Sequence, residues 1–205
     1  MALQAIIPMV AGFQGGLHAA APARASPVAM MAKSKALPFM DEPAHLDGMI
    51  GNVGFDPMGL STPQNIKWMR EAELKHGRMA QLAWAGYVLV DLGVKFPGAK
   101  YESLTSFTAH QSLAKYELFF ALLLVGTFET IGLSQIYDMT TGESDRDAGD
   151  FSFDPLMLLT PENEDKYKTA ELTHGRAAML AFSAVVTQSA LPGAFGYGKE
   201  TFPYF

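Results

Sequence analysis

The chain has 205 residues, of which 49% are hydrophobic and only 18% are charged. This composition favours a membrane protein over an ordinary soluble domain. Its formal charge of −6 argues against nucleic acid as a partner. The chain has no cysteine, which excludes disulfides, thiolate metal sites and cysteine nucleophiles.

The N-terminal region has a composition of its own. The first acidic residue is Asp41, and the only charged residues before it are Arg24, Lys33 and Lys35. An acid-free, weakly basic leader is typical of an organelle-targeting segment, although a disordered tail that is never removed would have the same composition. We therefore expect a leader or tail over residues 1–32 and one folded membrane domain over residues 33–205.

Three apolar segments are candidates for membrane spans, roughly residues 66–92, 113–136 and 166–191. A transmembrane helix needs about 20 residues at 1.5 Å rise each. The first and third segments reach this length only if their charged first turns are included, which fits tilted helices with polar ends. A buried helix pair in a soluble protein would have similar hydropathy. We expect an all-α membrane protein with three transmembrane helices.

A loop, a helix start and a helix are duplicated at a constant offset. Phe153 follows Phe55 by 98 residues, and Glu171 follows Glu73 by the same 98. The duplicated stretches are Phe55-Asp56-Pro57 with Phe153-Asp154-Pro155, and Glu73-Leu74-Lys75-His76-Gly77-Arg78 with Glu171-Leu172-Thr173-His174-Gly175-Arg176. This duplication indicates pseudo-two-fold symmetry, in which the first and third helices pack as equivalents and cross. Two copies are too few for a solenoid.

Each copy places a glutamate, a histidine and an arginine at the start of an apolar helix. On a helix, Glu73 and His76 lie about 60° apart, whereas Arg78 lies about 140° from Glu73. The arginine cannot easily neutralise its own glutamate. We therefore expect Arg78 to pair with Glu171 and Arg176 with Glu73, because an unpaired charge in a membrane is expensive. Such pairs would at least clamp the helices together.

The glycines and histidines of the motif have expected roles of their own. Gly77 and Gly175 would let the two helices approach each other closely. Neutral imidazole is a common metal ligand, so His76 and His174 are candidates for metal binding, although a histidine on an apolar helix is more often only hydrogen-bonded. A paired glutamate also keeps an oxygen lone pair for a hard cation such as Mg²⁺.

The duplicated Glu-x-x-His-Gly-Arg motif, with its preceding Phe-Asp-Pro loop, resembles the light-harvesting chlorophyll-binding family of plastid thylakoids over about residues 45–191. The tract at 35–39 and His174, where green-lineage members commonly carry asparagine, resemble the red-lineage chlorophyll a/c branch. The resemblance implies an antenna protein without enzymatic activity that transfers excitation energy to a photosystem. It implies chlorophyll a, chlorophyll c and a carotenoid (fucoxanthin, peridinin or a related xanthophyll) as cofactors.

The resemblance also implies roles for particular residues. The chlorophyll magnesium ligands would be Glu73, His76, Glu129, Glu171, His174 and Gln188. Gln188 follows Glu171 by 17 residues, about 25 Å along a helix. Ala121 stands where green members carry a glutamine ligand, so that pigment is absent or held differently, and the family's final histidine ligand has no counterpart after the third span.

The loops before the first and third spans have two interpretations. By resemblance, the ends of two carotenoids would lie under Phe55, Asp56 and Pro57 and under Phe153, Asp154 and Pro155. Ordinary helix-start turns built on aspartate and proline would carry the same sequence.

The resemblance places the protein in the plastid thylakoid membrane as a multi-pass protein. Its implied partners are a photosystem I or II core, neighbouring antenna subunits and thylakoid lipids, with no nucleic acid. The basic residues Lys33, Lys35, Lys67 and Arg70 precede or begin the first span, which favours a stromal N-terminus by the positive-inside rule.

Three alternatives stay open at this point. A photoprotective relative of the same fold would dissipate excitation as heat, with Asp91 and Glu102 as acid sensors or as plain loop charges. Glu-x-x-His on two helices is also typical of di-iron carboxylate enzymes. That site would need further glutamates, and Glu117 and Glu129 lie about 18 Å apart along one helix, too far to share it. The third alternative is a purely structural membrane protein.

Overall fold

The structure is a computed structural model that describes residues 33–113 and 115–191. Within those ranges the chain is helical and contains no strand, apart from an isolated antiparallel bridge between Lys33 and Asp41. The all-α prediction is confirmed for this part of the chain. The leader or tail expected over residues 1–32 lies outside the described residues, as does the end of the expected domain over residues 192–205.

Three long helices coincide with the three apolar segments. They are α1 (Ile66–Asp91), α4 (Glu117–Thr141) and α5 (Glu164–Ala190). Two short helices, α2 (Ala99–Glu102) and α3 (Ser106–Leu113), connect α1 to α4, and a single 3-10 turn covers Ala44–Leu46. The sequence pattern did not predict these short elements, since none has an apolar run of its own.

The second long helix is shifted from its predicted bounds. It begins at Glu117 rather than near residue 113 and ends at Thr141 rather than near residue 136. Its polar last turn continues the helix until Gly142, whose φ of 82° ends it while its N–H donates to the carbonyl of Asp138. Hydropathy ends the span too early because backbone hydrogen bonding, not apolarity, decides where a helix stops.

Helix α4 is apolar on nearly every side. It has 25 residues and is long and apolar enough to cross a membrane, which holds for no other helix within the described ranges. Its large exposed side chains are Phe119, Phe120, Leu122, Leu123, Leu124, Val125, Phe128, Ile131, Leu133 and Tyr137. A helix that is hydrophobic all round needs an apolar surrounding.

Helices α1 and α5 form the principal packing contact of the molecule. They are closest at Gly77 and Gly175, where a Cβ atom built on either glycine would lie 3.0 Å from the Cα of the other. Further along, Tyr87 and Phe182 pack edge to face with ring centroids 6.2 Å apart. The expectation that the two glycines allow close approach is therefore met by direct backbone contact.

The duplication continues into the loops, further than the sequence comparison reached. Left-handed backbone recurs at matching positions 98 residues apart: Gly51 with Gly149 (φ 70° and 80°), Gly54 with Ser152 (70° and 52°) and Gly59 with Met157 (61° and 52°). The second loop keeps this conformation at two residues that are not glycine, where it is unfavourable. The two loops thus share left-handed backbone at three equivalent positions, although two of the residues differ.

Candidate functional site

Two ion pairs join α1 and α5 in the exchanged arrangement expected from the sequence. Arg78 Nε donates to Glu171 Oε1 at 2.6 Å, and Arg176 Nε donates to Glu73 Oε1 at 2.8 Å. All four side chains are partly exposed. Each helix therefore neutralises the glutamate of the other, with charge-assisted hydrogen bonds that are stronger than neutral ones.

The two halves of this arrangement are not equivalent. Arg70 also donates to Glu73, reaching its Oε2 at 2.8 Å. The repeat counterpart of Arg70 is Lys168, which instead pairs with Glu164 at 2.6 Å and with a loop aspartate. Glu73 thus has two cationic partners, whereas Glu171 has Arg78 alone within the described residues.

Each loop packs on the helix of the other copy. A Cβ atom on Gly51 would clash with Leu172 of α5, and one on Gly149 would clash with Leu74 of α1. The carbonyl of Gly51 also accepts a hydrogen bond from Arg176 at 3.0 Å. Each loop thus contacts the helix of the other copy, just as each arginine pairs with the glutamate of the other copy.

His76 and His174 are held in one and the same way. Nδ1 of His76 lies 2.7 Å from the carbonyl of Ala72, and Nδ1 of His174 lies 2.7 Å from the carbonyl of Ala170. A carbonyl only accepts, so Nδ1 carries the proton and Nε2 of the neutral ring keeps its lone pair. Both side chains are exposed. Fixing the tautomer through the other nitrogen is how proteins prepare an imidazole for a metal.

The other two expected ligands lie in different places, Glu129 beside the motif of α1 and Gln188 far along α5. Glu129, at the middle of α4, accepts a hydrogen bond from Lys75 of α1 at 2.6 Å through Oε2. Gln188 is partly exposed near the end of α5. At 17 residues from Glu171, it lies about 25 Å along the helix, so the structure does not bring it near the ion pairs.

A cavity of about 2000 Å³ opens between α1, α4, α5 and the loop that precedes α5. Small-molecule sites typically measure roughly 300–1,000 Å³. Its lining includes Trp84, Phe128, Glu129, Glu171 and His174. The cavity is therefore large enough for more than one sizeable apolar ligand and presents candidate metal ligands at its wall.

The aspartates of the duplicated loops act within the loops themselves. Asp56 accepts hydrogen bonds from the amides of Leu60 and Ser61, both at 3.0 Å, and Asp154 accepts from Leu158 at 3.2 Å and Leu159 at 2.8 Å. These bonds lower the pKa of Asp154. At Asp56, burial by itself would raise the pKa, but the hydrogen bond from the Ser61 hydroxyl, together with the amide bonds, outweighs it and lowers the pKa.

The aromatic rings that begin these motifs are open to contact. Phe55 is 63% exposed and Phe153 is 84% exposed. Pro57 and Pro155 are exposed as well. The aspartates thus behave as the ordinary turn interpretation predicts, while the phenylalanine rings remain accessible to a ligand.

One buried carboxylate was missed by the sequence analysis. Glu71 is 3% exposed and accepts hydrogen bonds from Arg146 at 3.1 Å and from the amide of Gly149 at 2.6 Å. Arg146 also stacks on Phe151 at 4.9 Å. Glu71 has no acidic repeat counterpart, so the duplication gave no signal for it. It fastens the loop before α5 onto α1.

The two acids considered as sensors have different surroundings. The carboxylate of Asp91 accepts from both the amide and the hydroxyl of Ser106, at 2.9 and 2.6 Å, and so caps the start of α3. Glu102 is exposed, and its carbonyl accepts from Lys95 at 3.0 Å.

Comparison with known proteins agrees with this architecture. The family model described as Chlorophyll A-B binding protein matches residues 42–190. The chain is 32% identical to the Fucoxanthin-chlorophyll a-c binding protein, chloroplastic, of Chattonella marina var. antiqua, covering 80% of this chain and 78% of the relative. It is 28% identical to the Photosystem I chlorophyll a/b-binding protein 5, chloroplastic, of Arabidopsis thaliana, covering 81% and 73%. It is 31% identical to the Light-harvesting complex stress-related protein 3.2, chloroplastic, of Chlamydomonas reinhardtii, covering 83% and 70%.

These matches define a light-harvesting pigment-binding protein rather than an enzyme. The di-iron alternative is therefore wrong. The chain belongs to the Chlorophyll A-B binding protein family.

The residues present fit the magnesium of chlorophyll. A magnesium porphyrin needs one axial ligand from the protein, and a hard cation favours oxygen or imidazole donors. The two histidines each offer an exposed Nε2 with a fixed tautomer. The two cross-paired glutamates keep unused lone pairs after their hydrogen bonds, since each carboxylate oxygen has two. The four side chains would therefore offer one donor each at separate places, which suits pigments that each need a single ligand.

Proposed function

We propose that this protein is a thylakoid antenna whose three long helices all cross the membrane, with α1 and α5 crossing as pseudo-two-fold equivalents. The apolar surface of α4 supports one span directly. For α1 and α5, the exchanged ion pairs and the glycine contact supply the neutralisation that their charged first halves need in lipid. The duplicated loops support the two-fold relation. Residues 33–205 would form this domain.

The chlorophyll ligands in this proposal are Glu73, His76, Glu129, Glu171, His174 and Gln188. Bound chlorophylls supply the absorption and transfer of excitation. The protein's part is geometric: hydrogen bonds aim each Nε2 outward, Arg78 and Arg176 neutralise the carboxylates, and the packed helix pair fixes the separation of the sites. None of these residues makes or breaks a covalent bond.

The chlorophyll a/c relative supports chlorophyll a, chlorophyll c and fucoxanthin or a related xanthophyll as the pigments. The exposed rings of Phe55 and Phe153 would contact the carotenoid ends, while Asp56 and Asp154 hold the loops in shape. The family and the chloroplastic relatives support a plastid thylakoid location. The basic residues that precede or begin the first span support a stromal N-terminus. A photosystem core, neighbouring antenna subunits and thylakoid lipids would be its partners.

The single observation that carries the proposal is the pair of identically oriented histidines beside exchanged ion pairs. It is tested by reconstituting the chain with chlorophyll a, chlorophyll c and a xanthophyll, and counting pigments per protein. His76→Ala should lose about one chlorophyll while the complex stays folded. The matched control is His110→Ala, because His110 is an exposed histidine on the short helix α3. Equal pigment counts for the two variants would exclude His76 as a ligand.

A photoprotective role is the second candidate, and similarity to the stress-related Chlamydomonas protein supports it. Asp91, which caps α3 between the first two spans, is the acid whose protonation would alter this region. The two roles are separated by the excited-state lifetime of the pigmented protein across a step to acid pH. A large shortening would favour the quencher, and an unchanged lifetime would favour the antenna.

A further inference from the structure

Glu129 lies in a helix that cannot neutralise it. It is the thirteenth of the 25 residues of α4, hence at the middle of the helix. The helix contains no lysine or arginine, and its other acids, Glu117 and Asp138, lie toward the two ends. If α4 spans the membrane, the carboxylate of Glu129 is as far from water as the helix permits. Its charge must therefore be met from another helix.

Lys75 of α1 supplies that charge. Its Nζ lies 2.6 Å from Glu129 Oε2, and no other basic group in the described ranges pairs with this carboxylate. Lys75 stands inside the duplicated motif, between Leu74 and His76. Its side chain is 31% exposed and that of Glu129 is 48% exposed. In water, an ion pair with this exposure would contribute little to stability. In lipid, the exposed side of the pair lies against a medium of low dielectric, so the attraction between the two charges is stronger.

The pair also breaks the symmetry of the duplication. The repeat counterpart of Lys75 is Thr173, whose hydroxyl donates to the carbonyl of Thr169 in its own helix at 2.8 Å. The motif on α5 therefore has no cation to offer α4 at this position. Consistent with this, α4 packs against α1. One residue of the motif thus distinguishes the two sides of an otherwise equivalent helix pair.

We propose that Lys75 is the positioning residue for the chlorophyll of Glu129 and for the docking of α4 on α1. This inference rests on the proposed function, because it takes Glu129 as a magnesium ligand. Lys75 occupies Oε2 and leaves Oε1 to the metal, so the carboxylate is neutralised and held in one orientation without being used up. Lys75 also causes α4 to dock on α1 rather than on α5.

The test compares pigment counts of reconstituted variants with a helix-to-helix distance that does not depend on counting pigments. Lys75→Met should lose about one chlorophyll per protein, the same one that Glu129→Leu loses, as judged by identical difference absorption spectra. Lys75→Arg should retain it. Lys166→Met is the matched control, since Lys166 is an exposed lysine in the first turn of α5 and does not line the cavity. This control should keep every pigment.

The helix distance is measured by pulsed electron resonance between spin labels on Leu82→Cys of α1 and Leu133→Cys of α4. Both positions are exposed, and the chain has no native cysteine to interfere. In the Lys75→Met background the distance distribution should broaden or shift, whereas Lys166→Met should leave it unchanged.

A charge-swapped variant covers the case in which Lys75→Met does not refold. Lys75→Glu combined with Glu129→Lys should restore the helix distance but not the chlorophyll, because an ammonium group cannot bind magnesium. Recovery of that chlorophyll in the swapped protein would overturn the assignment. So would full pigment retention by Lys75→Met, with the antenna function left standing. A wild-type protein that binds no chlorophyll would instead refute the proposed function itself.

Discussion

The close contact between Gly77 and Gly175 allows the effect of the substitution Gly77→Ala to be worked out from the structure. In Gly77→Ala, the new methyl carbon would lie 3.0 Å from the Cα and 3.5 Å from the carbonyl carbon of Gly175. Carbon atoms prefer about 3.5–4.0 Å, so α1 and α5 must separate by roughly 0.5–1 Å. Because both neighbours are backbone, no side chain can turn away. Overpacking of this kind costs about 1–3 kcal/mol.

The separation would also lengthen the two ion pairs, which are 2.6 and 2.8 Å long. Alanine gains about 1 kcal/mol over glycine in a helix wherever it meets no obstacle. Gly86→Ala on the same helix is such a place, since nothing lies within 4 Å of a Cβ built there. Both variants share the propensity gain, so the difference between them isolates the packing cost.

The assay is thermal unfolding of the reconstituted complexes, followed by visible circular dichroism. At about 2–4 °C per kcal/mol for a chain of this size, Gly77→Ala should melt roughly 2–12 °C below Gly86→Ala. It should also bind less pigment. If the two variants melt together, or if Gly77→Ala is the more stable, the helices do not meet at these glycines and the reasoning is refuted.

Three further outcomes are expected. Arg78→Leu should lower pigment yield more than Arg176→Leu in parallel reconstitutions, because the first leaves Glu171 without a cation while Glu73 retains Arg70; equal losses would contradict the asymmetry. Met157→Gly should raise the melting temperature relative to Met58→Gly by a few degrees, because only Met157 has a positive φ (52°), and non-glycine residues there cost about 1 kcal/mol or more. Backbone hydrogen bonds, first that from Leu159, hold the pKa of Asp154 below the ordinary aspartate value of 3.8, so its contribution to stability is present above that pH and lost as pH falls through the folded pKa. Asp154→Asn should therefore flatten the pH dependence of unfolding below about pH 4, and an unchanged acid profile would show that its loop hydrogen bonds do not stabilise the fold.

The sequence could predict what repetition and helical geometry determine. A constant offset of 98 residues located the paired motifs, and the angle between Glu73 and Arg78 on a helix required each arginine to pair across the interface. The observed Arg78–Glu171 and Arg176–Glu73 contacts have this form. The ligand assignments came from the family resemblance, and they stay proposals.

The features that were missed depend on contacts without such a pattern. Glu71 meets Arg146 from 75 residues away, and Lys75 meets Glu129 from 54 residues away. Neither pair has a repeat counterpart. The family resemblance named Glu129 as a ligand, but nothing in the sequence indicates that it pairs with Lys75 or that Glu71 pairs with Arg146. The recurrence of Gly51 at Gly149 and of Leu74 at Leu172 was a readable signal. Its meaning, a loop seated on the opposite helix, needs coordinates.

The seating of each loop on the other copy's helix means that neither half of the molecule is complete alone. Severing the chain in the connection between α1 and α4 would leave one fragment with Gly51 and the other with the Leu172 surface that Gly51 covers. Until the fragments met, Glu71 in the first would lack Arg146, and Glu171 in the second would lack Arg78. The residues that would bring the two fragments together are therefore the same residues that hold the two copies together in the intact protein.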